Sequence, residues 1–147
     1  MNSIFIMKEK IKSYFESLEP KLLGVHREIN VSYVKKLGQG TSNLNYLVKL
    51  RGIPQKFIFR MNMDPRNKGK SRREFEGLKA VQHINIAPIV RVLDESKKIF
   101  DADFLILDYI EGKTVDKTKI YLKDEMIVGV ANLLAKIHSI KIIGNLN

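Results

Sequence analysis

Residues 38–43 combine two glycines with short polar side chains, between two stretches of β-type sequence. Gly38 and Gly40 permit backbone conformations that bring N–H groups close to a phosphate, and Ser42 and Asn43 could hydrogen-bond its oxygens. The same residues also fit an ordinary β-hairpin turn, in which the polar side chains stabilise the turn itself. The segment is therefore a candidate anion-binding loop with a structural turn as its alternative.

A cation on an apolar strand is the second candidate. In the sequence 56–61, Ile58 and Arg60 share one face, because side chains alternate along a strand. This pairing suits a nucleotide, with the aliphatic side chain against a base and the cation against phosphates. The alternative is an arginine at a strand end that extends to water.

An inward-facing arginine needs a partner, because an uncompensated buried charge costs about 3–5 kcal/mol. The following segment, 71–83, has helical periodicity and offers Glu74 and Glu76. Glu74 shares a helical face with Leu78, which is expected to pack on the sheet, whereas Glu76 should face solvent. The sequence therefore predicts an ion pair between Glu74 and Arg60.

The third candidate is the end of the apolar strand 104–107. Residues 108–112 (DYIEG) follow it directly, and backbone groups there should be free of strand pairing. Such an edge can offer a carbonyl and an N–H to an adenine. A buried strand followed by a turn explains the same residues.

Other reactive side chains show no chemical pattern. His26, His83 and His138 are far apart and lack metal-ligand spacing, so all three are interpreted as structural. His138 is expected to end a helix, where a cation suits the helix dipole. No Ser-His-Asp or paired-carboxylate arrangement is evident.

The elements that position these candidates follow from periodicity. The chain is expected to be an α+β fold with a five-stranded antiparallel sheet and one helix inserted after the third strand. Ser71 is expected to cap that helix, with Glu74 completing a capping box. Predicted helices span 7–18, 71–83 and 123–140, and predicted strands span 29–38, 44–51, 55–61, 89–93 and 104–107.

Composition limits the class of protein. The 147 residues carry a net charge of +10 and no cysteine, and no apolar run approaches the length of a membrane span, so a soluble cytoplasmic protein is expected. Five cations cluster within 66–73, which would attract polyanions. No aromatic residue lies among them, so a solvated, mobile loop is favoured over a nucleic-acid site.

The order and spacing of these motifs resemble the N-terminal lobe of the aminoglycoside phosphotransferase and choline kinase superfamily, a lobe similar to that of protein kinases. The similarity covers about residues 30–140. It rests on GTSNLNYLV at 40–48, RREFEGLKAV at 72–81, FLILDYIEG at 104–112 and NLLAKIHSI at 132–140. The resemblance implies three regions: a helical segment at 1–28, a nucleotide-binding lobe at 29–112, and a linker with a helix at 113–147.

The resemblance also implies roles for the phosphate-facing residues. Gly40, Ser42 and Asn43 would cover the phosphates of ATP, Arg60 would take the place of the usual phosphate-binding lysine, and Glu74 would hold it. Arginine in place of lysine keeps the charge but replaces a point cation with a planar fork.

At the other end of the implied site lies the adenine. The Asp108 carbonyl and the Ile110 N–H would bind its edge, and Leu107 would line the pocket.

The sequence contains no His-x-Asp catalytic loop, and its downstream Asn and metal-binding Asp would have to follow residue 147. Phosphoryl transfer depends on positioning and on metal-assisted charge neutralisation. We therefore expect the front half of a small-molecule kinase, a fragment or split product that is inactive alone, with Mg²⁺ requiring residues outside the chain. Its acceptor would be recognised mainly by the missing C-terminal lobe.

Two other functions fit the same sequence. One is a non-catalytic nucleotide sensor or interaction module, and the other is a basic nucleic-acid-binding domain that shares only the fold. A lobe without its partner should also expose an apolar patch near Leu107, Ile110 and the helix 123–140. The expected partners are thus a nucleotide and either the missing lobe or a second copy, with no membrane.

Overall fold

The computed structural model describes residues 3–38, 42–112 and 124–140, which form the expected α+β fold. Three α-helices and five strands follow one another in the predicted order, with two short 3-10 helices at Pro20–Leu23 and Gln82–Ile84. The elements are α1 (Ser3–Glu16), β1 (Val31–Leu37), β2 (Asn43–Leu50), β3 (Lys56–Asn62), α2 (Lys70–Val81), β4 (Val90–Asp94), β5 (Phe104–Asp108) and α3 (Asp124–His138).

The five strands form one antiparallel sheet in the order β1-β2-β3-β5-β4. After β3 the chain passes through α2 to the edge strand β4 and returns as β5 beside β3. In this register Arg60 of β3 lies opposite Asn45 of β2, and Ile58 lies opposite Leu107 of β5. Pairing with the central strand β3 therefore places Asn45 and Leu107 at the candidate site.

One face of the sheet carries an aromatic core. Phe57 and Phe59 are fully buried there, and the Phe59 ring lies 4.7 Å from that of Phe104, centroid to centroid. Helix α1 covers this face with Ile11 and Phe15, which are also fully buried. Because these side chains fill the space between sheet and helix, this face is structural.

The hydrophobic cluster on the opposite face is smaller, and this face carries the side chains of the candidate site. Ile58 and Leu107 are buried in it, and Phe75 and Leu78 of α2 pack against the same cluster. The alternation predicted for β3, with its phenylalanines on one face and Ile58 and Arg60 on the other, is confirmed.

Most element boundaries differ from the predictions by one or two residues, and the starts of two helices matter most. Helix α1 spans Ser3–Glu16 rather than 7–18. Ser71 is not the N-cap of α2: the helix begins one residue earlier, after Gly69, whose left-handed conformation (φ 71°) lets the chain turn into it. Ser71 is instead a buried residue of the first turn, and no side chain caps the helix.

Helix α3 presents apolar side chains to solvent along its length. Its exposed large hydrophobic residues are Met126, Ile127, Val128, Val130, Leu133, Leu134 and Ile137. His138 is its last residue, as predicted. No helix within the described ranges is both long and apolar enough to cross a membrane.

Candidate functional site

A cleft of about 460 Å³ opens where the end of β1, the middle of β3 and the segment after β5 meet. Its walls are apolar at the centre, and the Arg60 guanidinium and the Asn45 amide lie at one end. It is lined by Leu37, Gly38, Asn45, Ile58, Arg60, Pro88, Leu107, Asp108, Tyr109 and Ile110.

Arg60 and Glu74 form the expected ion pair between β3 and α2. Both side chains are partly buried, with exposed fractions of 33% and 24%. The Arg60 Nε–H also donates to Asn45 Oδ1 at 3.1 Å. Because two partners hold the guanidinium, it stays fixed at the rim of the cleft.

The apolar wall consists of side chains from adjacent strands. Ile58 and Leu107 are cross-strand neighbours, and only 9% and 2% of their surfaces are exposed. Leu107 therefore does not belong to an exposed patch, contrary to expectation, because α2 and the neighbouring strands cover it. Ile110, by contrast, is 61% exposed, as expected.

Strand β5 ends one residue later than predicted, at Asp108, and backbone hydrogen bonds to neighbouring segments continue to Tyr109. The Asp108 N–H donates to the Ile89 carbonyl at 2.8 Å, and the Tyr109 N–H donates to the Lys56 carbonyl at 2.9 Å. The Ile110 N–H has no acceptor among the residues that the structure describes. The first backbone donor available at this edge of the cleft is therefore that of Ile110.

A salt bridge follows at the same edge. Lys56 pairs with the exposed Glu111, and its ammonium lies 5.8 Å from the centre of the Tyr109 ring. The hydrogen bond from Lys56 lowers the pKa of Glu111, and the same bond raises the pKa of Lys56. The pair ties the segment after β5 to the start of β3.

Gly38 takes the left-handed conformation (φ 37°) where β1 enters the glycine loop. No atom lies within 4 Å of the position that a Cβ would occupy there, so glycine is required by the backbone angle rather than by crowding. At the far side of the loop, Ser42 accepts a hydrogen bond from the Met63 N–H at 2.9 Å, and Asn43 begins β2. Gly40 lies outside the described residues.

The cation cluster 66–73 is not a continuous solvated loop, because α2 begins within it at Lys70. Arg66 pairs with Asp64, with Nε and Oδ1 3.1 Å apart, and Arg72 pairs with Glu95. These carboxylates partly neutralise the cluster.

This arrangement can hold an elongated anionic molecule with a flat apolar end. The centre of the cleft would accept an apolar ring, the Ile110 N–H could meet a polar ring edge, and Arg60 could meet negative charge. Two other clefts, of about 500 and 550 Å³, lie beside α1 and beside the connection from β3 to α2. Neither is lined by any of the predicted site residues.

Comparison with known families identifies the family of this chain. The sequence profile of the phosphotransferase enzyme family (APH) matches residues 34–145, which is more than half of the chain. The chain belongs to the phosphotransferase enzyme family. The resemblance found in the sequence motifs is thereby confirmed.

A solved structure shares the fold of this phosphotransferase family member. It is a protein from Ralstonia eutropha JMP134, assigned as an aminoglycoside phosphotransferase, with 16% sequence identity and a TM-score of 0.53. The similarity covers 78% of this chain but only 31% of the other, so this chain spans less than a third of that protein's length. A sequence comparison with curated proteins gives no significant match.

Most of the site residues predicted for this member of the phosphotransferase family lie together in one cleft. Of the residues proposed for the cofactor, the cleft is lined by Gly38, Ile58, Arg60, Leu107, Asp108 and Ile110. Glu74 joins it through Arg60, while Ser42 and Asn43 lie at the end of the glycine loop and do not line it.

The sequence did not predict several residues that line the cleft or contact its predicted residues. Asn45 could have been found from the hairpin register, because it lies opposite Arg60. Arg91 and Lys70 contact predicted site residues, but only the tertiary fold brings them there. Leu37, Pro88 and Tyr109 also line the cleft, and no motif distinguished them.

Proposed function

We propose that this chain is the ATP-binding lobe of a small-molecule kinase, which transfers a phosphoryl group to a hydroxyl of a small metabolite or aminoglycoside-like acceptor. One observation carries the proposal. The cleft has apolar walls and, at one end, the partly buried cation Arg60. The Glu74 carboxylate and the Asn45 amide hold this cation in place. Family membership supplies the reaction class.

The chemistry of the lining residues fits ATP. Ile58 and Leu107 provide a flat apolar contact for adenine, and the Ile110 N–H is available for a ring nitrogen. In the proposal the Asp108 carbonyl accepts a hydrogen bond from the adenine amino group. The base is then bound by the same edge that ends strand β5.

At the opposite end, Arg60 is the group proposed to bind phosphate. A guanidinium presents N–H donors in a planar fork, which suits phosphate oxygens. Glu74 and Asn45 each engage part of this fork, so they fix its direction before ligand arrives. Gly38, Gly40, Ser42 and Asn43 belong to the loop proposed to cover the phosphates.

In this proposal the work is divided between two lobes. This chain binds the nucleotide, and a further segment provides the Mg²⁺ ligands, the catalytic carboxylate and the acceptor site. Mg²⁺ would neutralise phosphate charge when bound. The chain alone is therefore expected to bind ATP without turning it over, and the cytoplasm is its expected compartment.

Isothermal titration of the 147-residue chain with ATP, with and without Mg²⁺, tests the proposal. Binding should not need Mg²⁺, and Arg60→Ala should weaken it about tenfold or more, since charge-assisted hydrogen bonds contribute about 1.5–3 kcal/mol. Arg51→Ala is the matched control, because Arg51 is exposed and lies outside the cleft. Absence of ATP binding, or equal affinity in the Arg60 and Arg51 variants, would contradict the proposal.

A nucleic-acid-binding function is disfavoured by the contacts within the cation cluster. Arg66 and Arg72 pair with carboxylates, and Arg73 donates to the Asn67 side chain and the Lys68 carbonyl. Binding to single or double strands with a steep salt dependence, unaffected by Arg60→Ala, would instead favour that function.

A further inference from the structure

Lys70 lies at the first position of α2 and reaches back to the glycine loop. Its Nζ donates to Asn43 Oδ1 at 3.1 Å, across 27 residues of sequence. The side chain is partly buried, and it makes no ion pair with any carboxylate that the structure describes. Lys70 is thus a cation held by a neutral amide beside the loop proposed to cover phosphates.

The contact fixes the direction of the Asn43 amide. An ammonium can only donate hydrogen bonds, so it must meet the amide oxygen, and the two amide N–H groups remain as donors. The same logic applies to Asn45, whose oxygen accepts the Arg60 Nε–H at 3.1 Å. Two asparagines at the start of β2 therefore each have their oxygen occupied by a cation.

The surrounding chain reinforces the link between the loop and α2. The Met63 N–H donates to the Ser42 carbonyl at 2.9 Å, and Asn62 lies opposite Asn43 in the sheet. Asn62 also binds the connection to α2, since its Oδ1 accepts the Asp64 N–H at 3.2 Å. The end of the glycine loop and the start of α2 therefore form one hydrogen-bonded unit.

We propose that Lys70 is a positioning residue of the nucleotide site: it holds Asn43 with its amide donors available to phosphate oxygens, and it supplies a positive charge beside them. This inference rests on the proposed ATP-binding function. It assigns to Lys70 a part in phosphate binding that is separate from that of Arg60 and Glu74. The Lys70 ammonium and the Asn43 amide N–H groups can only donate hydrogen bonds, so they suit the oxygens of an ionised phosphate.

The first test compares nucleotides that differ in phosphate number. ATP, ADP, AMP and adenosine are titrated into the wild-type chain, Lys70→Met and Lys70→Arg. Lys70→Met should weaken ATP and ADP binding about tenfold and leave adenosine unchanged, since charge-assisted hydrogen bonds are lost only to phosphates. Lys70→Arg keeps a cationic donor and should recover most of the affinity.

Lys68→Met is the matched control, because Lys68 is exposed and belongs to the same cation cluster. Thermal unfolding without nucleotide checks that each variant folds. An equal loss for adenosine and ATP in Lys70→Met would show a general structural role and overturn the inference. Equal ATP affinity in the Lys70→Met and Lys68→Met variants would also overturn it.

A second variant tests the direction of the amide. Asn43→Asp keeps an acceptor for Lys70, and adds a charge attraction to it, but a carboxylate has no N–H to donate. The ligand-free variant should be at least as stable as wild type, yet its affinity for ATP should fall about tenfold or more. Unchanged ATP affinity in a folded Asn43→Asp variant would overturn the proposed role of the amide.

The two proposals fail in different ways. If the wild-type chain binds no nucleotide, both the proposed function and the proposed role of Lys70 are wrong. If wild type binds ATP and Arg60→Ala weakens binding while Lys70→Met does not, only the inference about Lys70 is wrong.

Discussion

Arg91 and Asp108 form a two-point ion pair between β4 and β5, with both nitrogen–oxygen distances at 2.7 Å. Only 22% and 12% of the two side chains are exposed. Gly24 packs closely on the guanidinium, since a Cβ there would lie 2.6 Å from Arg91 Nη1. The pair therefore fixes the end of β5 at the cleft and joins it to the segment that follows α1.

Replacing Arg91 should lower the stability of the fold. Arg91→Ala leaves the mostly buried Asp108 without its partner and should lower the free energy of unfolding by about 1–3 kcal/mol. Arg91→Lys should recover only part of this, because one ammonium cannot make the two-point contact. Urea denaturation measures the change, with Arg51→Ala as an exposed control. Equal stabilities of the Arg91 and Arg51 variants would contradict this role.

Glu74 should matter to ATP binding because it holds Arg60. Glu74→Gln keeps the size of the side chain but removes the charge that holds Arg60, so ATP affinity should fall about threefold to tenfold. The loss should be smaller than in Arg60→Ala, which removes the phosphate-binding group itself. Glu76→Gln on the exposed side of α2 is the control. A Glu76 variant that lost as much affinity would point to α2 as a whole rather than to Glu74.

The Tyr14 hydroxyl donates to Asp94 Oδ2 at 3.0 Å and links α1 to β4. Burial, together with the hydrogen bond to Asp94, raises the pKa of Tyr14 above its usual 10.0. Burial also acts to raise the pKa of Asp94, but hydrogen bonds from Ser96 and Tyr14 outweigh it and lower that pKa below its usual 3.8. The folded state therefore favours a neutral phenol beside a carboxylate.

These shifts fix the sign of the pH dependence. The stability from the Tyr14 shift is fully present below about pH 10 and is lost as the pH rises towards the folded-state pKa. The stability from the Asp94 shift is present above about pH 4 and is lost as the pH falls through its folded-state pKa. The contact should therefore stabilise the fold across the neutral range.

Tyr14→Phe should lower the free energy of unfolding by about 1 kcal/mol at neutral pH, since one hydrogen bond is lost. The difference from wild type should shrink above about pH 10, because only wild type then loses the Tyr14 contribution. Urea denaturation across the pH range measures this, with Tyr33→Phe at an exposed position as control. A difference that stays constant up to high pH would contradict the raised pKa of Tyr14. Equal stabilities of the Tyr14 variant and wild type at neutral pH would show that the hydroxyl contact does not stabilise the fold.

The aromatic core should tolerate truncation poorly. Phe59 is fully buried, and its ring centroid lies 4.9 Å from that of Phe100. Phe59→Ala should cost about 3–5 kcal/mol because it removes buried surface and leaves a cavity. Phe5→Ala changes a side chain that is 54% exposed and should cost far less. Similar denaturation midpoints for the two variants would contradict the described packing.

Helix α3 should make the chain self-associate. Leu133 and Leu134 are 43% and 48% exposed within its apolar surface, which water disfavours. Sedimentation velocity should show a concentration-dependent increase in mass, and the double variant Leu133→Lys and Leu134→Lys should reduce it. Ser139→Lys, just after the helix, controls for added charge. A strictly monomeric wild-type chain at high concentration would contradict the prediction.

The sequence predicted the sheet and the Arg60–Glu74 pair because both follow from local periodicity. Alternation along β3 places Arg60 on the face of Ile58, and helical spacing places Glu74 on the face of Leu78. The helix start was predicted wrongly, since Ser71 has the residue type of an N-cap, whereas the chain turns into α2 at Gly69, whose φ is 71°. The proposed nucleotide contacts remain predictions.

Contacts between distant segments could not be read from the sequence. Lys70 and Asn43 are 27 residues apart, and Arg91 meets Asp108 only because β4 and β5 are paired. No local period encodes such pairings, because they depend on how α2 crosses from β3 to the sheet edge. Leu107 was misjudged for the same reason: the side chains that cover it come from other elements.

Because side chains alternate along β3, consecutive residues of this strand serve either the stability of the core or the lining of the cleft. Phe57 and Phe59 belong to the aromatic core, while Ile58 and Arg60, the residues between and after them, line the cleft. Substitutions on the cleft face could thus change what is bound without loosening the core. A single inserted residue at the start of β3 would exchange the two sets and destroy both properties at once.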